Sequence, residues 1–364
     1  MSRLPRALHP GAWWLWALGL AAAASRTTNP LLLALVVAVA GLVVAGRRGD
    51  APWAFAFTFY LWGGLFIVLS RVLFRIVFGG GDGGHVLLRL PEIPLPHQAA
   101  GIHLLGPVSA EYVLGGLYDG MRLATMLICL GAANALADPK RMLKAVPGAL
   151  YEVGTAVVVA LSVAPQLVES VLRVRRARKL RGGRQRGMRA LRGIVMPVLV
   201  DALDRSLLLA AAMDSRGYGR GGRGPRRLTG VLLIVGLLGV CVGVYGLLDG
   251  TSPGWIGLPM LLLGLIVAGV GLPLAGRRVG RSVYRPDPWR LPETLVAGSG
   301  LAAAAVLVLT STVDPGNVYP SLEPLSWPGL PLVGAAGVLV ALLPAWLAPP
   351  PVSVVTVPPG AVAA

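Results

Sequence analysis

Residues 228–247 read LTGVLLIVGLLGVCVGVYGL, a run with no charged side chain. As a helix it is long enough to cross ~30 Å of hydrocarbon. Working outward from it, similar runs lie near 12–28, 30–45, 53–74, 108–135, 255–274, 294–312 and 327–348, which makes about eight candidate spans. Composition agrees: of 364 residues 55% are apolar and 13% charged, with mean hydropathy +0.71. A soluble protein carries about 25% charged residues, so a soluble globular enzyme is excluded. Apolar and polar residues do not alternate at period two, which excludes an outer-membrane barrel. The fold class expected is an all-α integral membrane protein.

Orientation follows from where the arginines sit, because short loops rich in Lys and Arg stay in the cytoplasm. The run from Trp13 to Ala24, preceded by Arg3 and Arg6, has the look of a signal peptide. Asn29-Pro30 and a second apolar run follow at once, so the two read as a helical hairpin that stays in the membrane. An inner N-terminus puts Arg47-Arg48, Lys140 to Lys144, residues 173–227 and Arg277 to Arg290 on one side. The loops around Asp249 and from Asp314 to Glu323 are acidic or neutral and fall outside. Arg71 and Arg75, near the outer end of the third span, oppose this bias. Residues 149–168 are apolar but lie between Lys144 and Arg173. Threading them through would invert every later loop, so they are expected to form an interfacial or re-entrant helix.

Most of the charge is local. The stretch Arg173 to Arg227 holds 16 Lys or Arg and three acids, Asp201, Asp204 and Asp214, giving +13 of the chain's formal +17. One helix is expected from Pro165 to Leu180-Arg181, stopping at Gly182-Gly183. A second is expected from near Pro197 to Met213, ending Asp214-Ser215-Arg216-Gly217-Tyr218. Glycine closes a helix in the left-handed conformation without a Cβ clash, and an arginine in the last turn faces the negative end of the dipole. Asp201 and Arg205, four apart, support the second helix by about 0.2–0.5 kcal/mol. The duplication goes beyond capping. Arg181-Gly182 and Arg216-Gly217 offer two forked cations at two helix tips, as gripping two like acidic grooves requires.

The pattern Ala177-Arg178-Lys179-Leu180-Arg181-Gly182, then Pro197, then Ala212-Met213-Asp214-Ser215-Arg216-Gly217-Tyr218, resembles the cytoplasmic coupling region of the transmembrane T component of energy-coupling factor transporters, the CbiQ/EcfT-like family. These are ABC-type importers for vitamins and transition-metal ions. His9-Pro10, Gly116 to Arg122, Asp138-Pro139, and Pro165 with Glu169 sit where that family places similar residues. The resemblance covers roughly residues 9–220. It departs from the family's Ala-Arg-Gly motif at the first position, where Leu180 and Ser215 stand. It implies amphipathic cytoplasmic coupling helices inserted between spans four and five. The implied division is 1–137 for spans one to four, 138–227 for the coupling domain, 228–348 for spans five to eight, and 349–364 for a proline-rich tail. It also implies docking of two cytoplasmic ABC-type ATPases on Arg181 and Arg216, with Gly182 and Gly217 ending the helices and Ala177 and Ser215 beside them. A separate membrane subunit would capture substrate. No cofactor is expected on this chain, the ATP belonging to the partner subunits.

Other readings fit less well. The chain's three lysines, Lys140, Lys144 and Lys179, none of them after a glycine, exclude a Gly-x-x-x-x-Gly-Lys phosphate loop. No His-Glu-x-x-His motif is present, and the enzyme alternative weighed is a lipid-phosphate transferase using the arginine cluster. Nucleic-acid binding is disfavoured because no aromatic residue lies between Arg173 and Gly217. A stand-alone secondary transporter would show a duplicated half with broken helices, and none is evident. A scaffold holding anionic membrane lipid needs the charge but not the paired tips. No metal site is expected: Cys129 and Cys241 read as buried inert thiols, and His85, His97 and His103 as ordinary loop histidines. Asp119 and Arg122, three apart in the fourth span, are expected to pair and lock helix packing.

Overall fold

The computed structural model describes residues 6–49, 56–78, 84–91, 105–144, 151–181, 188–218, 226–248, 253–276 and 287–350. It is predominantly helical, and the chain divides into two compact units: residues 1–142 with 287–364, and residues 143–286.

The first unit contains α1 (Pro10–Ser25), α2 (Pro30–Arg47), α3 (Ala56–Val77), α4 (Ala110–Leu136), α10 (Leu291–Val313), the single turn α11 (Pro315–Val318), α12 (Leu332–Val340) and the single turn α13 (Pro344–Leu347). At its edge lies the short basic helix α5 (Pro139–Lys144). Both early helices begin with proline at the first helical position behind a side-chain cap. His9 Nδ1 accepts from the Gly11 N–H (3.1 Å), and Asn29 Oδ1 accepts from the Leu31 N–H (2.9 Å). α1 packs chiefly on α10 and α4, and α4 also on α3 and α2.

The core is drawn from α1, α2, α4 and α10, with Trp16, Leu20, Leu32, Val36, Val43, Val296 and Leu307 fully buried. Where α1 meets α10, the backbones touch: a Cβ on Gly19 would strike the Gly300 carbonyl, and one on Gly300 would strike Trp16. Glycine is required there by the close approach, the usual device where lipid supplies no hydrophobic drive between helices. The buried Trp16 indole donates to the Ala341 carbonyl, 2.9 Å away.

Hydrogen bonds tie the two ends of this unit. At one end the buried Asn29 amide donates to the carbonyls of Asn317 (2.7 Å) and Gly329 (2.6 Å), and Thr27 donates to that of Val318 (2.8 Å). At the other, Arg6 pairs with the fully buried Glu293 (2.5 Å), Arg141 with Asp287 (2.9 Å), and Arg47 Nε donates to the Ala345 carbonyl (3.0 Å).

The second unit holds α6 (Tyr151–Leu180), α7 (Met188–Ser215), α8 (Arg226–Leu248) and α9 (Leu258–Gly276). α8 and α9 form an antiparallel hairpin closed by small residues. Gly236 lies against Ala268, Gly239 against Gly264, Gly243 against Leu261 and Gly246 against Ile256.

Six helical stretches among the described residues are long and apolar enough to cross a membrane: Pro30–Arg47, Phe57–Val77, Ala110–Leu136, Val153–Leu180, Gly230–Leu247 and Leu291–Val313. Shorter apolar stretches are Leu258–Leu272 and Leu332–Leu347. α1, with 16 residues, is also apolar and spans ~24 Å at 1.5 Å per residue.

Several expectations change. Residues 149–168 and the basic run after Pro165 are not two pieces: α6 is one 30-residue helix with Pro165 inside it. α7 starts at Met188, nine residues before Pro197, which also lies within the helix. A proline removes one helical hydrogen bond, and neighbouring turns hold the rod together. Two short antiparallel strands, β1 (Val86–Arg89) and β2 (Pro107–Ser109), precede α4 and are too brief to show a period in sequence. Cys129 is buried, whereas Cys241 is exposed because it stands off the glycine seam that α8 turns to α9. His97, His103, Gly182 and residues 351–364 lie outside the described residues.

Candidate functional site

α6 and α7 cross through a polar lock. Ser170 donates to Asp201 Oδ2 (2.7 Å), Arg205 Nε donates to Asp201 Oδ1 (3.1 Å), and Arg205 Nη1 donates to Gln166 Oε1 (3.2 Å). Gln166 and Ser170 are four apart on α6, Asp201 and Arg205 four apart on α7, so each pair occupies one helix face. Further along, the Arg178 guanidinium lies over Gly193, where a Cβ would approach its Nη1 to 2.8 Å. As the position falls along α6 through 178, 170 and 166, its partner rises along α7 through 193, 201 and 205. The helices are therefore antiparallel with a constant register. The sequence contained the Asp201–Arg205 spacing; the α6 half of the lock, Gln166 and Ser170, was signalled only by their own four-residue spacing.

The Ser170 hydroxyl, and after it the Arg205 guanidinium, hold the Asp201 carboxyl below the usual carboxylate range. Ser170 is also the one residue of α6 and α7 that is fully buried among the described residues. Along α7, Leu199, Leu203 and Leu207 follow one another at helical spacing and stay exposed, Leu207 at 68%.

The α7 tip is closed as the sequence suggests. Gly217 has φ +77°, its N–H donates to the Asp214 carbonyl (2.9 Å), and the Tyr218 N–H donates to that of Met213 (3.0 Å). This is a Schellman closure, which places Arg216 at the C-cap and needs glycine at the next position. Ser215 donates to the Ala212 carbonyl (2.9 Å) and is exposed. At the α6 tip the Arg181 N–H donates to the Ala177 carbonyl (3.2 Å), Ala177 is exposed, and Leu180 is 89% exposed. The guanidinium groups of Arg181 and Arg216 are both exposed and have no partner among the described residues.

Because the helices are antiparallel, the two tips point away from each other. Arg181 lies just past the Arg178–Gly193 contact, while Arg216 lies 23 positions beyond Gly193 along α7. Arg181 is thus level with position 190 of α7, and the tips are ~39 Å apart along the pair at 1.5 Å per residue.

Asp119 does not pair with Arg122. Its partner is Arg75 of α3, at 3.2 Å, and that guanidinium also sits 4.4 Å over the Tyr112 ring. Arg122 donates instead to the Ser25 carbonyl at the end of α1. The reason is the close packing of α3 on α4. Gly116 admits the Arg75 Cβ and Cγ and the Arg71 carbonyl, and Gly120 the Val68 backbone and Arg71 Cβ, bringing Arg75 to Asp119 from across the interface. This also accounts for a basic residue at the end of α3 where the charge bias disfavours one. His85 pairs with Glu111 at 2.7 Å. Among the described residues no group of three His, Cys, Asp or Glu is arranged to hold a metal ion.

No curated protein matches this chain. A protein-family model does, and over more than half of its length. Residues 1–230, which take in α1 to α7 with both arginine-tipped ends, match the cobalt transport protein model, CbiQ; this multi-pass helical membrane protein belongs to that family of transport components.

Proposed function

We propose that this chain is the non-catalytic coupling subunit of an ATP-driven energy-coupling factor importer for a metal ion or vitamin. Two cytoplasmic ATPases dock one on the Arg181 tip and one on the Arg216 tip. A separate membrane subunit captures the substrate. The observation that carries the reading is the pair of exposed guanidinium groups, without a partner among the described residues and ~39 Å apart at opposite ends of one antiparallel helix pair. Two like subunits side by side offer two like grooves, and a crossed pair of rods reaches both at once. A bidentate arginine–carboxylate contact supplies both strength and orientation at each tip.

The mechanism follows from stiffness. Closing two ATPases around ATP shortens the distance between their grooves. α6 and α7 are continuous helices pinned at Ser170, Asp201, Arg205 and Gln166, so moving the tips turns the rods about that lock. Their exposed apolar faces then carry the turn to the substrate-capture subunit and the membrane surface.

Chain parity supports the cytoplasmic placement. Arg141 and Asp287 are ion-paired, so the chain leaves and re-enters the first unit at one end. Residues 143–286 therefore cross the membrane an even number of times. The antiparallel α8–α9 hairpin accounts for two, and α6 and α7 must both cross or both stay on one side. α7 carries Arg189, Arg192, Asp201, Asp204 and Arg205, at a cost of several kcal/mol in hydrocarbon. Both therefore lie along the inner face, α6 included, in spite of its apolar length. The N-terminus is then cytoplasmic, on the side of the excess arginines.

The test is co-purification of ATPases with the full chain from native membranes, together with uptake. Arg181→Glu with Arg216→Glu is expected to remove the ATPases and abolish uptake while the chain still inserts and purifies. Lysine at both positions keeps charge but not the fork, and should weaken retention at least tenfold. ATPases retained with uptake intact in the double Glu variant would overturn the docking role.

A further inference from the structure

At the end of the first unit opposite the Arg6–Glu293 pair lies a cavity of about 330 Å³. It is walled by Arg75 of α3, Ser109 of β2, Glu111, Tyr118 and Asp119 of α4, and Glu323 from the segment after α11. Its chemistry is not that of a packing defect. Ser109 is 1% exposed and Tyr118 8% exposed, and neither hydroxyl has a hydrogen-bond partner among the described residues. Among the described residues no fully buried side-chain oxygen lacks a partner, so these two hydroxyls open onto the cavity and are free to bond a group held in it.

The charge on the wall says what. Three carboxylates face one guanidinium. Arg75 is spent on Asp119 Oδ2 and the Tyr112 ring, and leaves Asp119 Oδ1 free. Glu111 is turned to His85, whose ring is largely exposed outside the cavity. Glu323 makes no hydrogen bond or ion pair within the described residues. Water can satisfy the hydroxyls, and the net negative charge of the wall favours a cation over a neutral guest. A bare metal ion is disfavoured because the carboxylates do not converge as ligands. The volume, at the lower end for small-molecule sites, suits a polyatomic cation.

We propose that this cavity binds a primary ammonium group carried by a small polar molecule. Asp119 and Glu323 receive the cation, and Ser109 and Tyr118 bond its polar remainder. The cavity lies at a helix end of a membrane protein, so the ammonium group has two possible sources, a free amine or the headgroup of an amino-lipid. This site is independent of the arginine tips, and its test does not involve them.

The experiment titrates the purified full chain, in detergent, with ethanolamine at neutral pH and follows thermal stability and heat of binding. Choline and ethylene glycol serve as probes lacking N–H donors or charge. The same chain in nanodiscs of phosphatidylethanolamine or phosphatidylcholine tests the lipid source. Saturable binding of ethanolamine, weakened about tenfold by Glu323→Gln or Asp119→Asn and severalfold by Tyr118→Phe, is expected. Glu323 is exposed and unpaired, so E323Q keeps the fold even where D119N does not. Stabilisation by phosphatidylethanolamine nanodiscs alone, lost in E323Q, would support the site and assign it to lipid. Absence of saturable binding in every arm, equal binding of ethylene glycol, or binding of manganese in place of ethanolamine would overturn it.

Discussion

The α1–α10 contact and the α6–α7 contact are both helix crossings, yet they are built on opposite principles. The first is backbone against backbone, Gly19 on Gly300, with Trp16, Leu20, Val296 and Leu307 buried around it. The second buries only Ser170 among the described residues and is bridged by two side-chain hydrogen bonds, Ser170 to Asp201 and Arg205 to Gln166. A crossing of the first kind has one geometry, because interiors packed this closely do not deform continuously. One of the second kind keeps its pivot while its angle changes at little cost. Fixed scaffold and movable lever are thus distinguished by how much each buries.

The hardest way to break that contrast is to overpack the scaffold. Gly300→Leu drives a side chain into the Trp16 backbone, where overpacking costs ~3 kcal/mol or more. The expected outcome is loss of monodisperse full-length protein in size-exclusion chromatography. A normal elution profile would show that the α1–α10 contact is not the fixed one. Trp16→Phe is a milder probe. It keeps most of the ring but strands the buried Ala341 carbonyl, at a cost of about 1–3 kcal/mol. The chain should still purify, with a lowered Tm.

In the lever, Asp201→Asn is expected to change little in overall stability, because the Asp201–Arg205 pair is partly exposed and screened by solvent. Its effect should be local: hydrogen exchange should rise in α6 and α7 near residues 166–205 while α1 and α10 stay protected. Uniform exchange across both units would erase the distinction between them.

The sequence carried the helices because apolar runs of membrane length have few alternatives. It carried the α7 closure because Gly217 takes a positive φ there. It missed the continuity of α6, since Pro165 reads as a boundary although a long helix can absorb one lost hydrogen bond. The register between α6 and α7 was also out of reach. The matched spacings Gln166–Ser170 and Asp201–Arg205 are visible in one dimension, but nothing in the sequence pairs them. Asp119 shows the same limit more sharply. Arg122 is its neighbour in sequence and Arg75 its partner in space, 44 positions away, through an approach that Gly116 and Gly120 permit. Arg75 had already stood out as a charge on the wrong side, and an out-of-place arginine near a span is a signal to look for its carboxylate.

The smallest effect concerns pH and separates the Asp201 lock from every other titrating group on the lever. The Ser170 hydroxyl first, and Arg205 second, favour the charged carboxylate, so its folded pKa lies below the unfolded value of about 3.9. A group lowered in this way contributes fully above its unfolded pKa, and the contribution is lost as pH falls through the folded one. Spin labels at Arg176 and Val195, with Cys129 and Cys241 replaced, would report the α6–α7 distance. Its distribution should be unchanged from pH 8 to about 4 and broaden only below that, whereas Asp201→Asn should be broadened already at pH 7 and insensitive to acid. Broadening of the wild-type distribution between pH 8 and 5 would assign the pivot to a different group, because Asp201 does not gain a proton in that range.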